Sequence, residues 1–101
     1  MVSGGDRISG DHVAELGKVL GECLKRGGQP RVVLDLQGVA LVDSAGLELM
    51  LNTHEECQRH GGAIKLANPG ALCSEVLKVT GVGARFEVFG DTGSAVRSFL
   101  L

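Results

Sequence analysis

Apolar positions along this chain follow two periods. Val13, Leu16, Val19, Leu20, Cys23 and Leu24 recur at helical spacing and define one face of a first helix. Asp11 stands before that run as its predicted N-cap, and Gly27-Gly28 is its stop signal. Val32 to Leu36 is then a nearly continuous apolar run, the pattern of a strand covered on both faces. Val39 to Val42 is apolar too and reads as an extended lead-in. A second helical stripe follows, with Leu47, Met50, Leu51, His54, Cys57 and Gln58 on one face and Ser44 as the predicted cap. Gly61-Gly62 ends it.

The alternation then repeats. Ala63 to Ala67 predicts a strand, and Asn68-Pro69 signals a helix start. Leu72, Cys73, Val76, Leu77 and Thr80 give that helix its face, with Gly81 after it. Phe86 to Phe89 predicts the last strand, and Thr92 caps a final helix carrying Ala95, Val96, Phe99 and Leu100. Strands alternating with helices imply an α/β fold with a mainly parallel sheet and right-handed crossovers. No linker, repeat or low-complexity stretch divides the chain, so residues 1–101 are expected to form a single domain.

The segment with most chemical content is Asp43-Ser44-Ala45-Gly46-Leu47. A strand that hands a serine to a helix N-terminus presents its hydroxyl among unpaired backbone N–H groups, where the dipole favours negative charge. Such a position accommodates a phosphate. From Val32 to Leu51 the chain reads VVLDLQGVALVDSAGLELML. This segment resembles the central signature of STAS domains, the anti-sigma-factor antagonists and their relatives. The resemblance continues through Gly61–Pro69, Leu77–Val82 and Phe86–Phe89, and so covers the chain from about Ile8 onward. It implies that Ser44 is the phospho-acceptor of a partner kinase. It also implies a partner interface around Asp43, Ser44, Ala45, Gly46 and Leu47, with Ser9 and Asp11 from the segment before the first helix.

Each of these residues also has a plainer reading. Ser44 as an ordinary cap stabilises its helix by ~1 kcal/mol. Asp43 is equally well a turn residue accepting backbone N–H groups. Gly46 either admits a partner's backbone or is simply a helix-start residue. Asp35 reads as a buried acid satisfied by loop N–H groups. His60 reads as a cap compatible with the dipole of a helix C-terminus.

Composition narrows the function classes. The chain has 44% hydrophobic and 22% charged residues and only three aromatics, all Phe, which permits an aliphatic core. A formal net charge of -2 argues against charge-driven binding to nucleic acid or anionic membranes. Cys23, Cys57 and Cys73 form no C-x-x-C pair and read as reduced, buried thiols of a cytoplasmic protein. His12, His54 and His60 lack metal-ligand spacing, so no metal or cofactor is expected. No phosphate-binding loop, nucleophile elbow or acid/base pair is present, and the chain is expected not to be an enzyme. There is also no apolar run long enough to span a bilayer.

STAS domains usually carry two strands before the first helix. Met1 to Ile8 has room for at most one short strand, which predicts an uncovered edge beside Val32–Leu36 and self-association through it. Three functions follow from the resemblance and the motif. One is an antagonist of a kinase-type anti-sigma factor, released by phosphorylation. The second is an accessory subunit on the ATPase of a lipid-transport ABC complex. The third is a small-anion binder at the Ser44 helix end.

Overall fold

In the middle of the sheet the apolar run becomes strand β3, Arg31–Asp35. The structure, a computed structural model, describes residues 2–5, 7–26 and 28–100. Strands β1 (Val2–Ser3), β3, β5 (Ala63–Ala67) and β6 (Glu87–Phe89) form one parallel sheet in the order β1-β3-β5-β6. All five residues of β3 pair with β5, from Arg31 opposite Ala63 to Asp35 opposite Ala67. A separate two-stranded parallel sheet joins β2 (Arg7–Ile8) to β4 (Leu41–Val42). The helices are α1 (Asp11–Lys25), α2 (Ser44–Arg59), α3 (Ala71–Thr80) and α4 (Thr92–Ser98), with a 3₁₀ turn at Val82–Arg85. The fold is therefore α/β with a mainly parallel sheet.

Each face of the sheet buries different residues because side chains alternate along a strand. Val32, Leu34, Ile64 and Leu66 pack with Leu16, Leu20, Met50, Cys57, Cys73 and Leu77 in the main core. Val33 and Ala67 face the other way, onto Ala95, with Phe89 and Phe99 against them. Lys65 is buried on that second side. Its Nζ donates to Ser98 Oγ at 2.7 Å, lies 3.4 Å from the Glu87 carboxylate and 4.2 Å from the Phe99 ring centre. A paired, stacked lysine avoids the cost of a lone buried charge.

Gly62 shows why glycine is needed between α2 and β5. A Cβ there would collide with the Pro30 carbonyl, so only glycine lets β5 start flush beside β3.

The helix boundaries correct several sequence expectations. Helix α1 starts at Asp11 itself, and its cap position is Gly10, with φ 53 and ψ -129, a conformation glycine adopts readily. Gly27, half of the predicted stop, lies outside the described residues, and Arg26 is the C-cap. Helix α2 is capped by Asp43 and α4 by Asp91, one residue before the predicted Ser44 and Thr92. In both cases an adjacent carboxylate is the stronger acceptor and takes the role. Helix α3 begins only at Ala71, because Asn68 sits at φ 56 with its N–H bonded to Phe89 O and its amide to Asp35. Phe86 ends the 3₁₀ turn rather than starting β6.

At the N-terminal segment the structure has two short strands where one was expected, and both are parallel to their partners. A two-residue strand has no period to read. Among the described residues, β1 pairs with Leu34 and Asp35 of β3. Cys57 and Cys73 are buried and burial pushes both thiols up, whereas Cys23 is only half-buried.

Candidate functional site

Asp43 holds the start of α2 in place. Its backbone is extended, at φ -99 and ψ -179, and its Oδ1 accepts from Gly46 N at 2.8 Å. Its Oδ2 accepts from Gly10 N at 3.3 Å, across 33 residues of sequence. Its own N–H donates to the Ile8 carbonyl at 3.2 Å, extending the β2–β4 pairing by one step. One side chain therefore caps α2 and ties it to the loop that enters α1. The turn reading of Asp43 holds, and its partner Gly10 could not be named from the sequence because the contact is long-range.

Ser44 is exposed in the first turn of α2. Asp43 accepts the N–H of Gly46 with its side chain and that of Leu47 with its carbonyl. The N–H groups of Ser44 and Ala45 are the orphan donors of this helix end. They belong to the first turn of α2, the positive part of the helix dipole. Ala45 is also exposed, while Leu47 is half-buried against the core.

Gly46 lies in the first turn of α2. It is buried, and a Cβ there would collide with the Ile8 carbonyl. It admits the close approach of this chain's own β2. Ser9 and Asp11 flank Gly10 and so lie beside the site. Ser9 is buried, with its carbonyl accepting from His12 N at 3.0 Å. The backbone of Asp11 opens α1, and its side chain lies outside what the structure describes. Asp35 is half-buried rather than buried. Its Oδ1 accepts from Gln37 N at 3.0 Å and from Asn68 Nδ2 at 3.1 Å. These partners fix the loops after β3 and β5, and none of them belongs to the α2 end.

The C-terminal half of α2 holds a residue that the apolar stripe places on the buried face but whose partners nothing local announces. His54 is buried, and its Nδ1 accepts from Ile64 N at 3.1 Å. Its ring packs against Phe86, 4.7 Å between centres and tilted by 41°. Burial, then the charge of Arg85, holds its pKa below the ordinary 6.5, against a backbone bond to Arg85 and the charge of Glu55. A neutral imidazole is thus the form that fits. His60 is the helix C-cap; its N–H donates to Cys57 O at 3.0 Å, and the N–H of Gly61 after it donates to Gln58 O at 3.0 Å. Among the described residues no group of His, Cys, Asp and Glu is arranged to hold a metal ion.

A family profile described as "Mlab, STAS domain" matches residues 3–89. The chain belongs to the STAS domain family. Solved STAS structures share the fold. A protein titled as an anti-sigma factor antagonist of Thermotoga maritima superposes with TM-score 0.78 at 23% identity, over 92% of this chain and 80% of that one. The anti-sigma-factor antagonist (STAS) domain protein of Planctomyces limnophilus gives 0.73 at 24% identity, over 87% and 79%. A sulfate transporter family protein of Wolinella succinogenes gives 0.71 at 15% identity, over 93% and 76%. No curated protein sequence is a significant match. At these identities the likeness speaks for the STAS fold alone. No described helix is long and apolar enough to cross a membrane.

Proposed function

We propose that this STAS domain is a non-enzymatic interaction module whose α2 N-terminal end docks on an anti-sigma factor with serine kinase activity. Phosphorylation of Ser44 ends that docking. The observation that carries the reading is the exposed Ser44 hydroxyl on a helix start whose backbone is fixed from behind by Asp43. A kinase reaches the hydroxyl without unfolding anything. The phosphate then adds about -1.5 to -2 charges to the exposed surface, and the orphan N–H groups and the helix dipole tolerate it. A docked partner surface does not, because charge has been placed where it must be desolvated. ATP belongs to the partner, and the site is that of a cytoplasmic protein.

A second reading has its own support. The matched family is described by the name Mlab, and transporter proteins stand among the fold's neighbours. In that reading the same exposed face is a permanent contact with the ATPase of an ABC transporter, and Ser44 is never modified. Binding of a free anion at Ser44 is the third reading and has only the helix end in its favour.

Capture of partners from native cytosol on the wild-type chain and on Ser44→Asp separates these readings, with mass spectrometry of both partner and Ser44. The first requires a kinase-like partner that the variant loses and a phosphate on Ser44. An ABC ATPase retained with unmodified Ser44 overturns it in favour of the second. Phosphate binding by the isolated chain favours the third.

A further inference from the structure

The register of β6 on β5 decides which of its backbone groups are left over. Lys65, Leu66 and Ala67 stand opposite Glu87, Val88 and Phe89, and Asn68 N donates to Phe89 O at 3.0 Å. In a parallel ladder a residue turns its N–H and C=O to the same neighbour, and the next residue turns both the other way. Glu87 and Phe89 therefore bond to β5, and both backbone groups of Val88 point to the far side of β6. There β6 ends the sheet, and no described strand pairs with it. Helix α4 lies elsewhere, with Ala95 and Phe99 packed on Val33 and Ala67 over the second face.

The side chain of the same residue is also unspent. Val88 shares the face of Leu66, toward α3, and is 44% exposed. It lines an apolar groove of about 360 Å³ with Pro69, Leu77, Gly81, Gly83 and Ala84. On the opposite face Glu87 is exposed beside Lys65, whose Nζ lies 3.4 Å from that carboxylate and 5.8 Å from the centre of the Phe89 ring. An edge strand with a free N–H, a free C=O and an exposed β-branched side chain at one position is a template for pairing.

We propose that β6 pairs with β6 of a second copy of this chain across a two-fold axis centred on Val88, away from the Ser44 face. Two-fold pairing of strands is antiparallel, and a residue opposite its own copy there exchanges both N–H···O=C bonds. Val88 meets that condition because both its groups point outward. The two Val88 side chains then touch on the α3 side, beside the two grooves. On the other face Glu87 of each copy comes opposite Phe89 of the other, the ring over which the Lys65 charge lies. Centring the axis on Glu87 instead sets two carboxylates directly opposite each other, which is unfavourable. An unrelated extended segment fits less well. Within the three residues of β6 only Val88 faces outward, so a longer strand gains no further bonds along it, whereas a second copy brings its own Val88 and groove.

Sedimentation of the full chain is expected to show a dimer whose fraction grows with concentration up to the millimolar range. Val88→Lys and Val88→Glu each set a charge against its own like, and each is expected to weaken the dimer at least tenfold. Because residue 88 meets itself across the axis, mixing these two variants is expected to restore a dimer containing one of each. Val88→Pro removes the outward N–H without touching a bond to β5, and a similar loss is expected. Circular dichroism of every variant reads whether it is folded. A wild-type chain that stays monomeric at the highest concentration overturns the proposal. So does a dimer that Val88→Lys leaves intact, since the contact then lies elsewhere. Folded, monomeric Val88→Lys and Val88→Glu chains that ignore each other on mixing overturn it too, because residue 88 is then not on the axis.

Discussion

Helix α2 has two ends built on opposite terms. At its start the hydrogen bonds among the described residues are made by backbone or by the Asp43 carboxylate, and Ser44 and Ala45 are exposed. Ten residues on, His54 is buried, tilted against Phe86 and bonded to the second residue of β5 through Ile64 N. The first end is fixed from behind and open in front, so its chemistry is free to change. The second is closed on all sides, and any change of charge or volume is felt by the fold. The phosphorylation proposed for Ser44 would call for the first construction at that face, and the second would keep the helix in place.

The largest expected effect is therefore at the closed end. His54→Ala removes the acceptor of a buried N–H and leaves a cavity against Phe86, an expected loss of about 3 kcal/mol. Urea unfolding followed by circular dichroism reads it. A loss below 1 kcal/mol would mean that the end of α2 is not locked as described. The same residue makes stability depend on pH. Its folded pKa lies below 6.5, so protonation is resisted in the folded state and met freely in the unfolded one. Its contribution is complete above about pH 6.5 and falls as the pH drops below that value. His54→Gln is expected to flatten the stability profile between pH 7 and 5. If the variant's profile keeps the wild-type slope, another group is responsible.

Next in size is Gly46→Ala. The added methyl meets the Ile8 carbonyl, and β2 must move to admit it. Overpacking of this kind costs ~1–3 kcal/mol. It tests whether the open end is rigid from behind, because Ala45→Gly beside it is expected to change stability by less than about 1 kcal/mol. Equal melting temperatures for the two variants would remove that distinction.

Much of this arrangement was legible from the sequence, and the misreadings share a physical cause. The periods of α1, α2 and β3 and the exposed serine at a helix start could be read because each is a local pattern repeated over several residues. The caps were misplaced by one residue at Ser44 and Thr92 because two good capping types stand side by side, and the carboxylate prevails. Strands β1 and β2 were illegible because two residues carry no period. The partners of Gly46 and His54 are Ile8 and Ile64, which nothing local announces. Asp43 was half legible: its turn role was foreseen, its tie to Gly10 was not.

That tie gives a smaller effect. Asp43→Ala removes the cap on α2 and the acceptor for Gly10 N together, an expected cost of ~1–2 kcal/mol. Asp43→Asn retains an acceptor for Gly46 N and is expected to recover most of it. Amide exchange at Gly10 and Gly46 reads the two bonds separately, and both are expected to speed up in the alanine variant. Fast exchange at Gly46 alone would show that the bond to Gly10, at 3.3 Å, contributes little.

The smallest effect on stability belongs to Ser44→Asp, and that smallness is the point of the comparison. The hydroxyl bonds to nothing that the fold depends on, since the cap is Asp43. A new carboxylate at the first helical position lies in the favourable end of the dipole, worth ~0.3–1 kcal/mol, but stands beside the charge of Asp43. The two terms oppose each other, so the melting temperature is expected to stay within about 3 °C of wild type for a domain of this size. Binding to a captured partner is expected to fall at least tenfold, because the same charge is then desolvated against a docked surface. Ser44→Ala is expected to leave both quantities close to wild type. A large loss of stability in Ser44→Asp would mean that the start of α2 is not open. Wild-type affinity would mean that the partner docks elsewhere.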